Sequence, residues 1–262
     1  MKILVVSDIH ANLDAFEAVL ASADGSCAGF VMLGDCTGYG PDATACVSLL
    51  SSLASAFDPF VALLGNHDAA LTGALDLSWF GPAARFSAEK TRSEARPVDV
   101  AFLSGLAPSR VLSAFPDVLL SHGSPVEPLT GYLFGGDETT RAFESMAEAG
   151  VRACLCGHTH EGAVFRPGSG ADPARPASSA RPTREYPAPG TTIVLGAGPV
   201  IVNPGSVGFP RAFNGLDAEP SYESWPAYYG VWDTETDVFA FAEARYDFSA
   251  VVARMRAGGW VT

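Results

Sequence analysis

A chain of 262 residues with 48% hydrophobic and 17% charged side chains can bury a large core and is too apolar to remain disordered. Its formal net charge of −13 repels nucleic-acid phosphates, so nonspecific DNA or RNA binding is not expected. Small phosphorylated substrates stay open to it, because bound divalent cations invert the local field.

No apolar run approaches the ~20 residues that cross a bilayer, so no membrane association is expected. The opening run Met1 to Ser7 meets Asp8 and His10 almost at once, which argues for a buried strand and against an export signal. The five cysteines lack a disulfide-framework spacing, and buried free thiols in a cytoplasmic protein are expected. Cys154 and Cys156 form a Cys-x-Cys, but they fall where strand residues belong, and packing is favoured over metal binding.

In chain order, Lys2 to Ser7 is almost wholly apolar, as a strand covered on both faces would be. Asp8 and His10 follow at its end, and Asn12 is placed to cap a helix with Leu13, Phe16, Val19 and Leu20 at helical spacing. Gly29 to Leu33 repeats the pattern and ends in Gly34-Asp35. The loop from Cys36 to Gly40 then leads through Pro41 and Asp42 into a helix ending near Ala56. Phe60 to Leu64 is a third strand, delivering Asn66, His67 and Asp68. Residues 69–106 predict two or three short cap helices. Ser109 to Ala114 and Asp117 to Ser121 predict an antiparallel pair turning at Phe115-Pro116, with His122 after the second strand. Asp137 is expected to cap an amphipathic helix carrying Phe143 and Met146 inward and closed by Gly150.

The run Ala153 to Cys156 then presents His158 and His160. They share a face if the backbone is extended, or diverge within one cluster if it turns at Gly157. Residues 166–190, rich in Pro, Ala, Ser, Gly and Arg, predict a flexible surface insertion. Strands are expected at Thr192 to Leu195, Val200 to Val202, Tyr228 to Trp232 and Val238 to Ala242, and a helix from Phe248 to Arg256. Tyr222, Trp225, Tyr228, Tyr229 and Trp232 have a composition that stacks a nucleobase, although aromatic packing is favoured. No repeat and no linker divides the chain, so one domain over 1–262 is expected.

All five histidines, His10, His67, His122, His158 and His160, fall in these strand-end motifs. Four of them with Asp8, Asp35 and Asn66 offer mixed oxygen and nitrogen donors without thiolate, a set suited to Mn²⁺, Fe or Zn²⁺. Seven ligands exceed one site that keeps a water position. Two ions sharing one carboxylate fit better.

Asp8-x-His10, Gly34-Asp35, Gly65-Asn66-His67-Asp68, His122 and Gly157-His158-x-His160 resemble, in order and spacing over roughly residues 1 to 210, the five blocks of the calcineurin-like metallophosphoesterases. Ser7 to Asn12, Gly34 to Pro41 and Asn203 to Gly208 resemble the small bacterial and archaeal branch, of the YfcE-like or predicted-phosphodiesterase kind. The resemblance implies an α/β fold, a four-layer αββα sandwich of two mainly mixed sheets flanked by helices. It implies two divalent metal ions, Mn first and Fe, Zn or Ni as other candidates. One would take Asp8, His10, Asp35 and His160, and the other Asp35, Asn66, His122 and His158, with Asp35 bridging. A metal-bridging hydroxide would attack a small phosphorylated substrate, with His67 as general acid. Asp68 would orient His67 or cap a helix.

One departure bears on the substrate. Where protein Ser/Thr phosphatases of the superfamily read Gly-Asp-x-Val-Asp-Arg-Gly, this chain has Gly38 in place of the acid and Tyr39 in place of the arginine. That weakens a protein phosphatase or symmetrical dinucleotide tetraphosphatase and leaves a phosphodiesterase or broad phosphatase in front. The phosphodiesterase is preferred, with phosphomonoesterase, protein phosphatase or nucleotide pyrophosphatase as alternatives and a non-catalytic metal-binding scaffold further behind. Arg211 is the candidate for substitute positive charge at the substrate.

Overall fold

Alternation in the first strand sets the layers. In β1 (Lys2–Val6), Ile3 and Val5 face one apolar core while Leu4 and Val6 face another, and all four are fully buried. A strand with no solvent face has no place for a polar residue, which is why the run reads as continuously apolar. The computed structural model describes residues 1–23, 25–168, 181–196, 198–211 and 225–260.

Two six-stranded mixed sheets face each other. The first runs β3 (Phe60–Ala62), β2 (Gly29–Met32), β1, β11 (Ala227–Asp233), β12 (Val238–Ala244) and β9 (Thr192–Val194). The second runs β4 (Ser109–Leu112), β5 (Phe115–Ser121), β6 (Ala153–Leu155), β10 (Val200–Asn203), β7 (Ala163–Arg166) and β8 (Thr183–Glu185). Val5, Val31 and Trp232 from the first sheet meet Val118, Leu155 and Val202 from the second to fill the space between them. On the outer face of the first sheet, Leu4, Phe30 and Tyr229 pack with Phe16 and Val19 of α1 (Leu13–Ser22) and Leu50 of α2 (Ala43–Leu53). On the outer face of the second, Cys154, Cys156 and Phe165 pack with Ala142 and Met146 of α6 (Asp137–Glu148). The Cys-x-Cys pair is therefore core, and burial pushes the Cys156 thiol up to about 12.

Each sheet holds three adjacent parallel strands: β3, β2 and β1 in one, β5, β6 and β10 in the other. Their C-terminal ends deliver the polar motifs, the position at which open α/β sheets bind ligands. Residues of α3 (Asn66–Thr72) and α4 (Pro82–Glu94) line the cleft at these ends, while α5 (Pro97–Ser104) packs beside α2 and α3, with Leu103 in the outer-face core. The chain closes with α7 (Phe248–Ala257), whose Phe248, Val251 and Met255 pack on Phe209. No helix among the described residues is long and apolar enough to cross a membrane.

Several sequence expectations shift. The turn between β4 and β5 falls at Ser113-Ala114, and Pro116 lies near the start of β5, where its missing N–H is tolerated. The cap of α6 is Gly136, at φ 78°; Asp137 is the first helical residue, with its charge near the positive end of the helix dipole. The second helix stops at Leu53. Within 166–190, Thr183–Glu185 pairs with β7 as an edge strand of the second sheet, while 169–180 lie outside the described residues. An edge strand leans on backbone pairing from one side only and needs no apolar alternation, so periodicity does not reveal it. Tyr222 also lies outside the described residues.

Candidate metal centre

The strand tips carry unusual backbone. Asp8, His10, Ala11, Asp35, Tyr39, His158 and His160 all sit at φ between 50° and 67°, the left-handed region. Each costs ~1–3 kcal/mol for a residue with a Cβ, so surrounding structure holds them there against local preference. The hydrogen bonds that do so cross between segments. Asp8 accepts from the His158 N–H, and Asn203 Nδ2 donates to the Gly157 carbonyl at 2.7 Å. Ser206 Oγ donates to the Asp8 carbonyl and Val207 N to that of Ser7. The Asn203 to Gly208 block thus clamps the first and fifth motifs together.

Seven side chains expected from sequence converge. Asp8, His10 and His160 form one group of potential ligand atoms, and Asp35, His122 and His158 form another. Asn66 Oδ1 is 3.0 Å from His122 Nε2. Asp35 stands between the groups: its Oδ1 accepts from the His67 N–H at 2.8 Å, leaving Oδ2 at 3.7 Å from His10 Nε2 and 3.5 Å from His122 Nε2. One carboxylate oxygen thus faces both sets of nitrogens. Gly65 makes that approach possible, since a Cβ there would lie 2.0 Å from Asp35 Oδ1.

The protonation pattern tests whether a metal fits. Nδ1 of His10, His122 and His160 lies 3.0, 2.8 and 3.1 Å from the carbonyls of Thr37, Leu33 and Phe209. A carbonyl only accepts, so each ring carries its proton on Nδ1 and presents the Nε2 lone pair inward, as metal-ligating histidines do. Two of these lone pairs, on His10 and His160, stand 2.8 Å apart beside the Asp8 and Asp35 carboxylates. His158 Nε2 is buried without a hydrogen-bond partner. A cluster this rich in acceptors, whose donors are at most the protons its own carboxyls retain, fits cations.

His67 lies in a third group with His10 and Asp35. Its ring packs against those of His10, Tyr39 and Phe80, with centroids 4.9, 4.6 and 4.9 Å away. Its buried Nδ1 has no hydrogen-bond partner. Gly38, at φ 94°, lies so close that a Cβ there would come within 2.3 Å of that nitrogen. Asp68 does not orient His67. It accepts from the N–H groups of Gly65, Cys36 and Thr37 and from Thr37 Oγ1, capping α3 and pinning the Cys36 to Gly40 loop.

Comparison with known proteins agrees with this geometry: the sequence profile of the calcineurin-like phosphoesterases matches residues 1–162. The chain belongs to the calcineurin-like phosphoesterase family. A metallophosphoesterase from Sphaerobacter thermophilus is 30% identical, with a TM-score of 0.76 over 99% of this chain and 95% of that one. An uncharacterized protein of Methanocaldococcus jannaschii is 31% identical over 136 residues, 50% of this chain and 54% of that protein, so the match spans about half the relative's length. A hypothetical protein from Pyrococcus horikoshii OT3 shares the fold, with a TM-score of 0.68 at 16% identity over 99% of this chain and 94% of that one.

In this calcineurin-like phosphoesterase Asp35, Asn66, His158 and His160 face a cavity of about 640 Å³, whose walls also include Trp79, Phe80, Tyr132 and Arg211. Tyr132 stacks on His158 at 4.0 Å, and the Arg211 guanidinium lies over the rings of Phe134 and Tyr132 at 4.3 and 5.3 Å. Neither aromatic belongs to a motif block, and only the folded chain brings them to the site.

Burial dominates the electrostatics. It pushes Asp8 up to about 7 and Asp35 well above the usual carboxylate range, where Asp68 and Asp8 add repulsion. It pushes His122 down to about 4 and His160 to about 3. The imidazoles are therefore already neutral near pH 7, while a raised carboxyl keeps a proton that an incoming cation must displace. Mn²⁺ affinity of the metal-free chain is expected to weaken between pH 8 and pH 6, by about tenfold per pH unit for each carboxyl proton displaced. Calorimetry in buffers of different ionisation enthalpy checks this: heats independent of buffer would show that no proton leaves.

Proposed function

We propose that this family member is a dinuclear phosphodiesterase. Asp8, His10, Asp35 and His160 would hold one ion and Asp35, Asn66, His122 and His158 the other, with Mn²⁺ favoured by the oxygen and nitrogen donors. The observation that carries the reading is the single oxygen, Asp35 Oδ2, facing nitrogens of both groups. Such an ion pair, when bound, supplies Lewis acidity and lowers the pKa of water.

The chain's own residues do the rest. Phe80 and Tyr39 hold the His67 ring beside the donor cluster, where it gives a proton to the departing alkoxide. Burial lowers His67 to about 3, so the free site holds it neutral. An anionic phosphate ester arriving next to it raises its proton affinity. Arg211 is the one cationic side chain among the described residues lining this cavity. A diester carries one negative charge at its phosphate and a monoester carries up to two, so a wall with one guanidinium suits the diester better.

The test is hydrolysis of bis(p-nitrophenyl) phosphate and of p-nitrophenyl phosphate by the Mn²⁺-reconstituted chain. Faster diester turnover is expected. Preference for the monoester would reverse the substrate class, and no hydrolysis with any divalent metal would leave a metal-binding scaffold.

A further inference from the structure

His160 and Arg211 line the cavity over the donor cluster and also a second cavity, of about 400 Å³. The walls of the second are flat and stiff: Tyr186, Trp225 and Tyr228, with Pro187, Pro189 and Pro204. Trp225 meets Tyr228 edge to face, with centroids 5.5 Å apart and planes at 76°. Strand alternation explains how Tyr228 gets there. It shares a face of β11 with Trp232, which is fully buried between the sheets, while Tyr228 lies toward the end of the strand that faces the site. At the polar end Glu161 is paired with Arg184 at 2.6 Å, and Arg184 lies over the Tyr186 ring at 4.5 Å. Core packing accounts for Trp225, which packs beside Phe209 and Phe248, but not for Tyr186, which is 67% exposed.

We propose that this second cavity is a subsite for a nucleobase-like ring carried on one ester arm, which makes the substrate class a nucleoside phosphodiester. The inference rests on the phosphodiesterase reading above. Aromatic and prolyl walls take the faces of a flat heterocycle, and the Glu161 carboxylate accepts from its edge N–H groups. The volume lies within the range of small-molecule sites. A phosphate beside Arg211 has a lined cavity on either side, and a diester has two arms to fill them. A monoester leaves one to water.

Two esters with the same leaving group isolate the arm: p-nitrophenyl thymidine 5′-phosphate and methyl p-nitrophenyl phosphate, given to the Mn²⁺-loaded full chain. The thymidyl ester is expected to have the higher kcat/KM, mainly through a lower KM. Trp225→Ala and Tyr186→Ala are each expected to cut the thymidyl-to-methyl ratio by about tenfold, the scale of one lost stacking partner. Thymidine 5′-monophosphate binding, followed by calorimetry, should weaken by a similar factor. Tyr186 is exposed, so its removal does not threaten folding. Equal KM values for the two esters, or variants that leave both the ratio and the nucleotide Kd unchanged, would overturn the subsite. If the wild-type chain cleaves neither ester, the phosphodiesterase reading falls, and the nucleotide Kd in the two variants alone decides the cavity.

Discussion

Asp35→Asn is expected to reduce bound metal from two equivalents to less than one and to abolish measurable ester hydrolysis. The substitution changes charge with almost no change in shape. The amide oxygen can still accept from the His67 N–H, so the start of α3 keeps its anchor. On the other side, an amide NH₂ replaces Oδ2 and donates toward the lone pairs on His10 and His122 Nε2. Hydrogen bonds then satisfy the nitrogens that a cation would otherwise satisfy, in both groups at once. The affinity loss should exceed the roughly 10–100-fold typical of losing a supporting residue around a metal site. Because burial already holds the Asp35 carboxyl well above its ordinary range, the neutral variant is expected to melt no lower than the metal-free parent. Elemental analysis after Mn²⁺ reconstitution, with thermal unfolding alongside, checks both statements. Two full equivalents retained would refute the shared oxygen.

The features legible from sequence share one cause: chemistry concentrated at the ends of continuous apolar runs. Strands buried on both faces, such as Lys2–Val6 and Gly29–Met32, announce themselves, and so do the donors that follow them. What stayed hidden depends on long-range contact. Tyr132 and Phe134 lie in a loop without periodicity, and only the packing of Arg211 and His158 against them makes them part of the site. The left-handed backbone at seven motif residues is likewise held by hydrogen bonds between distant segments, as between Ser206 and Asp8. Gly38 shows the same limit. From sequence it is the loss of an acid; in the fold it is also the surface on which His67 rests.

The second large effect is expected at that histidine. His67→Ala should lower kcat by about 10²–10⁴-fold for alkyl leaving groups, the range for removing a positioned general acid, and far less for p-nitrophenolate. A weakly basic leaving group departs without a proton, whereas an alkoxide does not, so the two esters separate proton donation from everything else the ring does. The surroundings of His67 make the comparison informative. No carboxylate reaches its Nδ1, and the room for one at position 38 is taken up by the ring itself, so its aim comes from packing against His10, Tyr39 and Phe80. The same position lies close enough to His10 and Asp35 for the ring to serve as a ligand instead. Metal content decides between these roles: a general acid can be removed with both ions retained, and a ligand cannot. Equal losses with the two leaving groups, at full metal content, would take His67 out of proton transfer and leave it as a wall of the site.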